Sequence, residues 1–191
     1  MRAHRIISRT VAKARKLRKI ELPIQPPIGF NAQYLWSCDV DDSTVEELVK
    51  ITKLHMKTMY DDAGGTWTWK DENKAEELRH EDARLVILRV NTTQKIAAFL
   101  HVRFDLEYDV PVAYIYELQV LSEYRNAKLG TYLMSSVEML CETMTSVRLL
   151  MLTVFTANKP ARAFYEKLTY EVDACSPVGE PYMIYSKIID D

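Results

Sequence analysis

Apolar residues recur along this chain at two periods, and the switches between them outline its elements. From Ser43 onward, Val45, Leu48, Val49, Leu54, Met56 and Met59 are spaced as one helical face. Ser43-Thr-Val-Glu46 has the pattern of a capping box and opens that helix; Gly64-Gly65 predicts its end near Tyr60. Segment 61–69, carrying Trp67 and Trp69, is predicted as a flexible loop, and the charged run 70–82 as a short helix. Three strand-like runs follow, Arg84 to Asn91, Lys95 to Glu107 and Val112 to Leu121, joined by turns at 91–94 and 108–111. They predict an antiparallel meander. Leu129, Leu133, Val137 and Leu140 mark a helix over about 127–143. Val147 to Phe155 is nearly all apolar, as in a strand covered on both faces. A helix over 158–168 and two more strands within 169–189 complete the order. With an earlier strand near Tyr34 to Cys38, the order predicts an α+β fold, a single mixed, mostly antiparallel sheet flanked by helices.

Composition narrows the class. In 191 residues, 48% are hydrophobic and 27% charged, the balance of one globular domain. No run approaches the roughly 18 uninterrupted apolar residues of a membrane helix. Cys38, Cys141 and Cys175 form no CxxC pair, and the four histidines have no ligand spacing. That argues against a disulfide framework and a metal site and for a reducing compartment. Residues 1–19 hold eight Lys or Arg and no acid, leaving 17 basic against 27 acidic residues elsewhere. The acidic body favours cationic partners, although the same charge also reads as a solvated surface.

In the basic start, Ile7, Val11 and Ala14 share a helical face, with Ile6 and Leu17 beside it. A helix packed on the body, an arm or import signal, and a mitochondrial presequence all stay open. The packed helix is favoured, with import as a second role. Leu22-Pro-Ile-Gln-Pro-Pro-Ile-Gly29 excludes helix or central strand. The expected organisation is a basic helix over 1–20, a Pro-rich connector over 21–33 and the main domain over 34–191.

The chemistry concentrates in 116–134, YELQVLSEYRNAKLGTYLM. A strand ends, a loop passes through Arg125, and a helix begins at or just before Gly130. Free amides and a positive dipole at a helix start suit phosphate, and Arg125 and Lys128 add charge. A plain solvated loop fits the same letters.

Arg125-Asn-Ala-Lys-Leu-Gly130 resembles the acetyl-CoA loop of the GNAT superfamily of N-acetyltransferases, Q/R-x-x-G-x-G/A, with Lys128 standing at the first glycine. Thr153 to Tyr165, TVFTANKPARAFY, resembles that family's next strand and helix. More narrowly, the blocks MKTMY (56–60), WTWK (67–70), RFDLE (103–107), YIYELQ (114–119), MLTVF (151–155) and SP (176–177) together resemble the N-alpha-acetyltransferase D family.

The resemblance implies an enzyme that moves acetyl from acetyl-CoA, without a metal, to the α-amine of Ser-starting tails of histones four and two-A. It implies a cytoplasmic and nuclear protein, active as a monomer, with basic protein N-termini as partners, possible ribosome association and no membrane. Leu118, Gln119, Val120, Arg125, Asn126, Ala127, Lys128, Leu129, Gly130, Thr131 and Asn158 would hold the CoA. Tyr60, Trp67, Asp105, Glu107, Tyr114, Tyr116, Thr153 and Tyr182 would line the peptide site; Cys175 and Ser176 either line it or end a strand. Alternation puts Asp105 and Glu107 on one face, suited to an ammonium or an arginine. Glu117 is the first choice of base and Glu107 the reserve, with Tyr165 set to protonate the departing thiolate. Tyr116 and Leu118 are expected to face away from Glu117, and partial burial to raise its basicity. An acceptor other than an α-amine, and a non-catalytic basic-arm module, are the alternatives.

Overall fold

Seven strands join in one sheet, ordered β1-β2-β3-β4-β5-β7-β6, in the computed structural model, which describes residues 9–18 and 20–189. The strands are β1 (Phe30–Trp36), β2 (Arg84–Val90), β3 (Ile96–Glu107), β4 (Val110–Val120), β5 (Leu149–Phe155), β6 (Glu171–Val172) and β7 (Tyr182–Ile188). The helices are α1 (Arg9–Ala14), α2 (Asp42–Ala63), α3 (Asp71–Leu78), α4 (Leu129–Met144) and α5 (Lys159–Lys167). Every neighbouring pair is antiparallel except β4 with β5. That pair is parallel because α4 carries the chain back between them. The mixed α+β sheet is the one the periodicity predicts.

One face is covered by α2 and α3, whose Val45, Leu48, Val49 and Leu78 meet Leu85, Ile87 and Phe99. The other is covered by α1 and α4, where Val11, Ala14, Leu133, Val137 and Leu140 meet Val86, Leu100, Phe104 and Ile115. The short α1 is thus packed on the sheet. Arg84, itself buried, donates to the carbonyls of Arg15 and Leu17, and Arg18 lies 3.8 Å over Trp36. The part of the expected basic helix that runs through Ile6 and Ile7 lies outside the described residues.

Several boundaries differ from expectation, the first being the basic helix, which ends at Ala14 and not at residue 20. The connector ends at Gly29, not residue 33: Phe30 already pairs with Val90, and the strand closes at Trp36 opposite Arg84. Helix α2 is capped by Asp41, whose carboxylate accepts the Thr44 N–H at 2.7 Å, so Ser43 lies inside it. It runs past Tyr60 to Ala63, where Gly64 (φ 67°, ψ −171°) takes a positive-φ conformation suited to glycine and its N–H bonds back to the Tyr60 carbonyl. Leu54 is exposed, and the expected loop after it is largely ordered as a 3-10 turn at Gly65–Trp67. Finally, Tyr108 and Asp109 both have positive φ, giving the tight two-residue hairpin that lengthens β4 back to Val110.

Candidate active site

Two features of β4 create the site. Its ladder with β5 covers only Val112 to Ile115 against Leu149 to Leu152. Beyond that point the strands part, and the β4 edge from Tyr116 to Val120 has no strand partner on that side. On the other side, His101 pairs with Glu117 but Val102 with Ile115, so Tyr116 is the extra residue of a β-bulge. The bulge breaks the alternation. Tyr116 stacks on His101 at 5.1 Å and lies under the Arg103 guanidinium, while Glu117 is the residue paired with His101. Tyr116 and Glu117 therefore share a face, which corrects the expectation that Tyr116 points away.

A cavity of about 420 Å³ fills the fork. Among its walls are Tyr60, Trp67, Tyr114, Tyr116, Glu107 and Glu117; Leu118, Gln119, Thr153, Asn158, Tyr165 and Cys175 also line it. The aromatic wall is braced by edge contacts: Trp67 lies 5.2 Å from Phe155 and 5.1 Å from Tyr182, and Tyr60 lies 5.0 Å from Phe155. Tyr114 and Thr153 share a hydroxyl hydrogen bond of 2.6 Å across the fork. Burial pushes the Tyr60 phenol up to about 12, helped by the nearby Glu117 charge. Burial, with the Glu117 charge, also raises Tyr165 well above the usual phenol range, so it keeps its proton. Cys175 is pushed up to about 11 by burial and by Asp173, which keeps it a thiol.

Glu117 is buried but not isolated. Its Oε2 accepts from Lys74 Nζ at 3.1 Å and its Oε1 from Gln119 Nε2 at 2.7 Å. Lys74 also donates to Glu77 at 2.8 Å and to the Tyr60 hydroxyl at 3.1 Å. Burial disfavours the Lys74 ammonium, but the charges of Glu117 and Glu77 outweigh it and hold the group above its ordinary value. Apolar burial alone is therefore not the environment of Glu117, as the sequence reading supposed. The counterion comes from α3, in a stretch that reads only as a charged helix.

The loop before α4 has the shape of an anion cradle. Lys128 caps the helix in the left-handed conformation, φ 60° and ψ 16°, and Asn126 has φ 66°. A glycine would take the Lys128 conformation without strain, which accounts for a pattern that asks for glycine there. The first intrahelical bond is Tyr132 N–H to the Lys128 carbonyl, and no side chain caps the start. The amides of Leu129, Gly130 and Thr131 thus precede the helical ladder. A Cβ on Gly130 would stand 3.2 Å from the Phe164 ring, so a side chain here would press on that ring. Arg125, Asn126, Ala127 and Lys128 are exposed around these amides. The set fits a diphosphate; Asn158, which caps α5 through Oδ1 to the Ala161 N–H, lines the cavity itself. Replacing Lys128 by glycine should raise the melting temperature by about 2 °C by relieving left-handed strain. Replacement by valine should lower it, and calorimetric melting of the two variants checks both.

Three expected lining residues are placed differently. Asp105 lies outside the cavity wall and meets Arg15 at 3.5 Å, because the basic segment folds over that end of β3. Ser176 accepts the Ile184 N–H at 3.0 Å, a structural role at the start of the last hairpin. Tyr182 supports Trp67 from behind rather than lining the cavity. Met56, Glu77, Phe155 and Ile184 line it unannounced; of these, Glu77 had a signal, its i, i+3 spacing from Lys74.

A sheet that forks between its two parallel strands, beside a helix start stripped of caps and above a buried carboxylate, defines an N-acetyltransferase architecture. The Acetyltransferase (GNAT) family model matches residues 48–170, and the chain belongs to that family. Solved structures agree in fold. Arabidopsis thaliana NAA60 in complex with a bisubstrate analogue has a TM-score of 0.62 at 14% identity, over 84% of this chain and 100% of that one. Arabidopsis thaliana Naa50 in complex with the bisubstrate analogue CoA-Ac-MVNAL gives 0.57 at 17%, over 84% and 99%. The ribosomal-protein-S18-alanine N-acetyltransferase of Escherichia coli gives 0.58 at 19%, over 84% and 96%. Among the described residues no group of side chains is arranged to hold a metal ion, and no helix is long and apolar enough to cross a membrane.

Proposed function

We propose that this acetyltransferase acts on the α-amine of protein N-termini, with Ser-starting histone tails as its substrates and acetyl-CoA as acetyl donor. The observation that carries the reading is the buried Glu117 carboxylate facing an aromatic cavity at the parting of β4 and β5. Such a slot suits an extended chain end better than a bulky folded surface, and Glu107 in its wall suits a basic tail. The bisubstrate analogues in complex with Arabidopsis thaliana NAA60 and Naa50, the second being CoA-Ac-MVNAL, support the same reading.

When bound in the fork, the thioester supplies the activated acyl carbon. The loop from Arg125 to Thr131 would hold its diphosphate, and the free edge of β4 around Leu118 would offer backbone N–H to the acyl oxygen. Tyr60, Trp67 and Tyr114 wall the peptide. Glu117 takes a proton from the chain-end ammonium, which frees the nitrogen lone pair for attack. Tyr165 directs its hydroxyl at the sulfur as the C–S bond breaks, and the second proton shed by the acylated nitrogen ends on the departing thiolate, leaving an amide and a free thiol. A chain-end amine of ordinary basicity is already about one-tenth neutral near pH 7, so a carboxylate is base enough. Activity in cytoplasm and nucleus, as a monomer, and contact with the ribosome belong to the same proposal.

The test is acetyl transfer to a Ser-Gly-Arg-Gly peptide. A free α-amine should be acetylated, and blocking it should reduce transfer by at least about 100-fold, as expected when the reacting group itself is removed. Transfer to lysine side chains that survives the block would move the acceptor elsewhere and leave the family assignment standing.

A further inference from the structure

Lys74 is not among the residues that sequence or resemblance singles out, yet its side chain is only 4% exposed and touches the base directly. A buried ammonium is costly unless all its protons find acceptors. Here three acceptors are present: Glu117 Oε2, Glu77 Oε1 and Tyr60 Oη, between 2.8 and 3.1 Å. A second clamp meets the other carboxylate oxygen. Gln119 Nε2 donates to Glu117 Oε1, and Gln119 Oε1 is tied at 2.7 Å to His55 Nδ1 on α2. Both oxygens of Glu117 are thus fixed by groups from α2, α3 and β4, and each keeps one lone pair for a substrate proton.

We infer that Lys74 is a positioning residue for the amine-activating step: it fixes the plane of the Glu117 carboxylate and stands as its counterion, while Glu77 shares that ammonium. The inference rests on the proposed role of Glu117. The ammonium is shared between two carboxylates, so it holds Glu117 in place without being its exclusive partner. The other groups around Glu117 are Tyr60 of α2, His101 of β3 and Tyr165 of α5; His55 reaches it through Gln119, Arg103 lies behind His101 and over Tyr116, and Glu107 shares the cavity wall. Arg103 is engaged by His101 Nε2 and the Glu77 carbonyl, and His101 is held neutral by burial, so Lys74 is the cation in direct contact with the base.

The experiment is the pH profile of kcat/KM for acetyl transfer, in wild type and in Lys74→Met, Lys74→Arg and Glu77→Gln. Loss of the cation should move the acidic limb of Lys74→Met up by about one pH unit or more. Loss of the competing carboxylate should move that of Glu77→Gln down, and Lys74→Arg should stay near wild type. A purely structural role for Lys74 would change melting temperature and rate without moving the limb, and that result overturns the inference. Should Lys74→Met fail to fold, the direction of the Glu77→Gln shift decides; an unmoved or raised limb there also overturns it. If wild type proves to acetylate only lysine side chains, the proposed acceptor is wrong, and the same profiles taken with a lysine peptide still judge Lys74.

Discussion

Glu117→Gln should lower kcat by about 10²–10³-fold at pH 7 while leaving KM within about threefold of wild type. The substitution keeps the shape of the side chain. Its amide oxygen can still accept from Lys74, so the largest change is loss of a site for the amine's proton. An interaction used only as the nitrogen is freed should appear in kcat, not in binding. Glu107→Gln is the control. Glu107 lines the same cavity without contacting Lys74 or Gln119, and its loss should act on KM for basic peptides and cost less than about tenfold in kcat. Rates and melting temperatures measured together separate catalysis from stability, since removing one partner of a buried pair also destabilises. Full rate in Glu117→Gln with a collapse in Glu107→Gln would reverse the two roles.

What the sequence could reveal of this site follows from the range of each interaction. The order of strands and helices is local, set by period and by turn residues, and it was legible. So was the loop at 125–130, because a strand, a basic turn and a glycine lie within twenty residues. The bulge was not. Its only trace in sequence is Tyr116 beside Glu117, and the slip arises from pairing with β3, where His101 meets Glu117 but Val102 meets Ile115. Strict alternation therefore gave Tyr116 the wrong face. The acidic pair on β3 shows the second kind of gap. Asp105 and Glu107 do lie on one face, but Arg15, ninety residues earlier in the chain, covers Asp105 and leaves only Glu107 at the cavity. The third gap is Lys74: a lysine in an acidic helix reads as solvated surface until packing of α3 on β3 and β4 closes over it.

Acid should loosen this same network before it touches most of the fold. His101 is fully buried behind Glu117, and its Nε2 accepts from Arg103 Nε at 3.2 Å, so the ring is neutral with its proton on Nδ1, facing Glu77 Oε1 at 3.8 Å. Burial pulls its pKa down to about 4, with the Arg103 and Lys74 charges adding to the effect and Glu77 opposing it. The unfolded chain takes up a proton near the ordinary value of about 6.5, which the folded protein refuses until about 4. Stability tied to His101 is therefore complete above about pH 6.5 and is lost as the pH falls toward 4, by about 3 kcal/mol in all. Glu77, held near 2 because its His101 and Lys74 partners outweigh its burial, extends the loss between about 4.5 and 2. Urea unfolding at pH 7.5, 5.5 and 4 should show this slope. His101→Gln, which can still accept from Arg103 but cannot titrate, should flatten its upper part; an equal slope in that variant would place the acid sensitivity in other groups. Because Glu77 also partners Lys74, the order of loss matters for activity: protonating His101 adds a cation beside Glu77 and weakens its hold on Lys74 before Glu77 itself titrates.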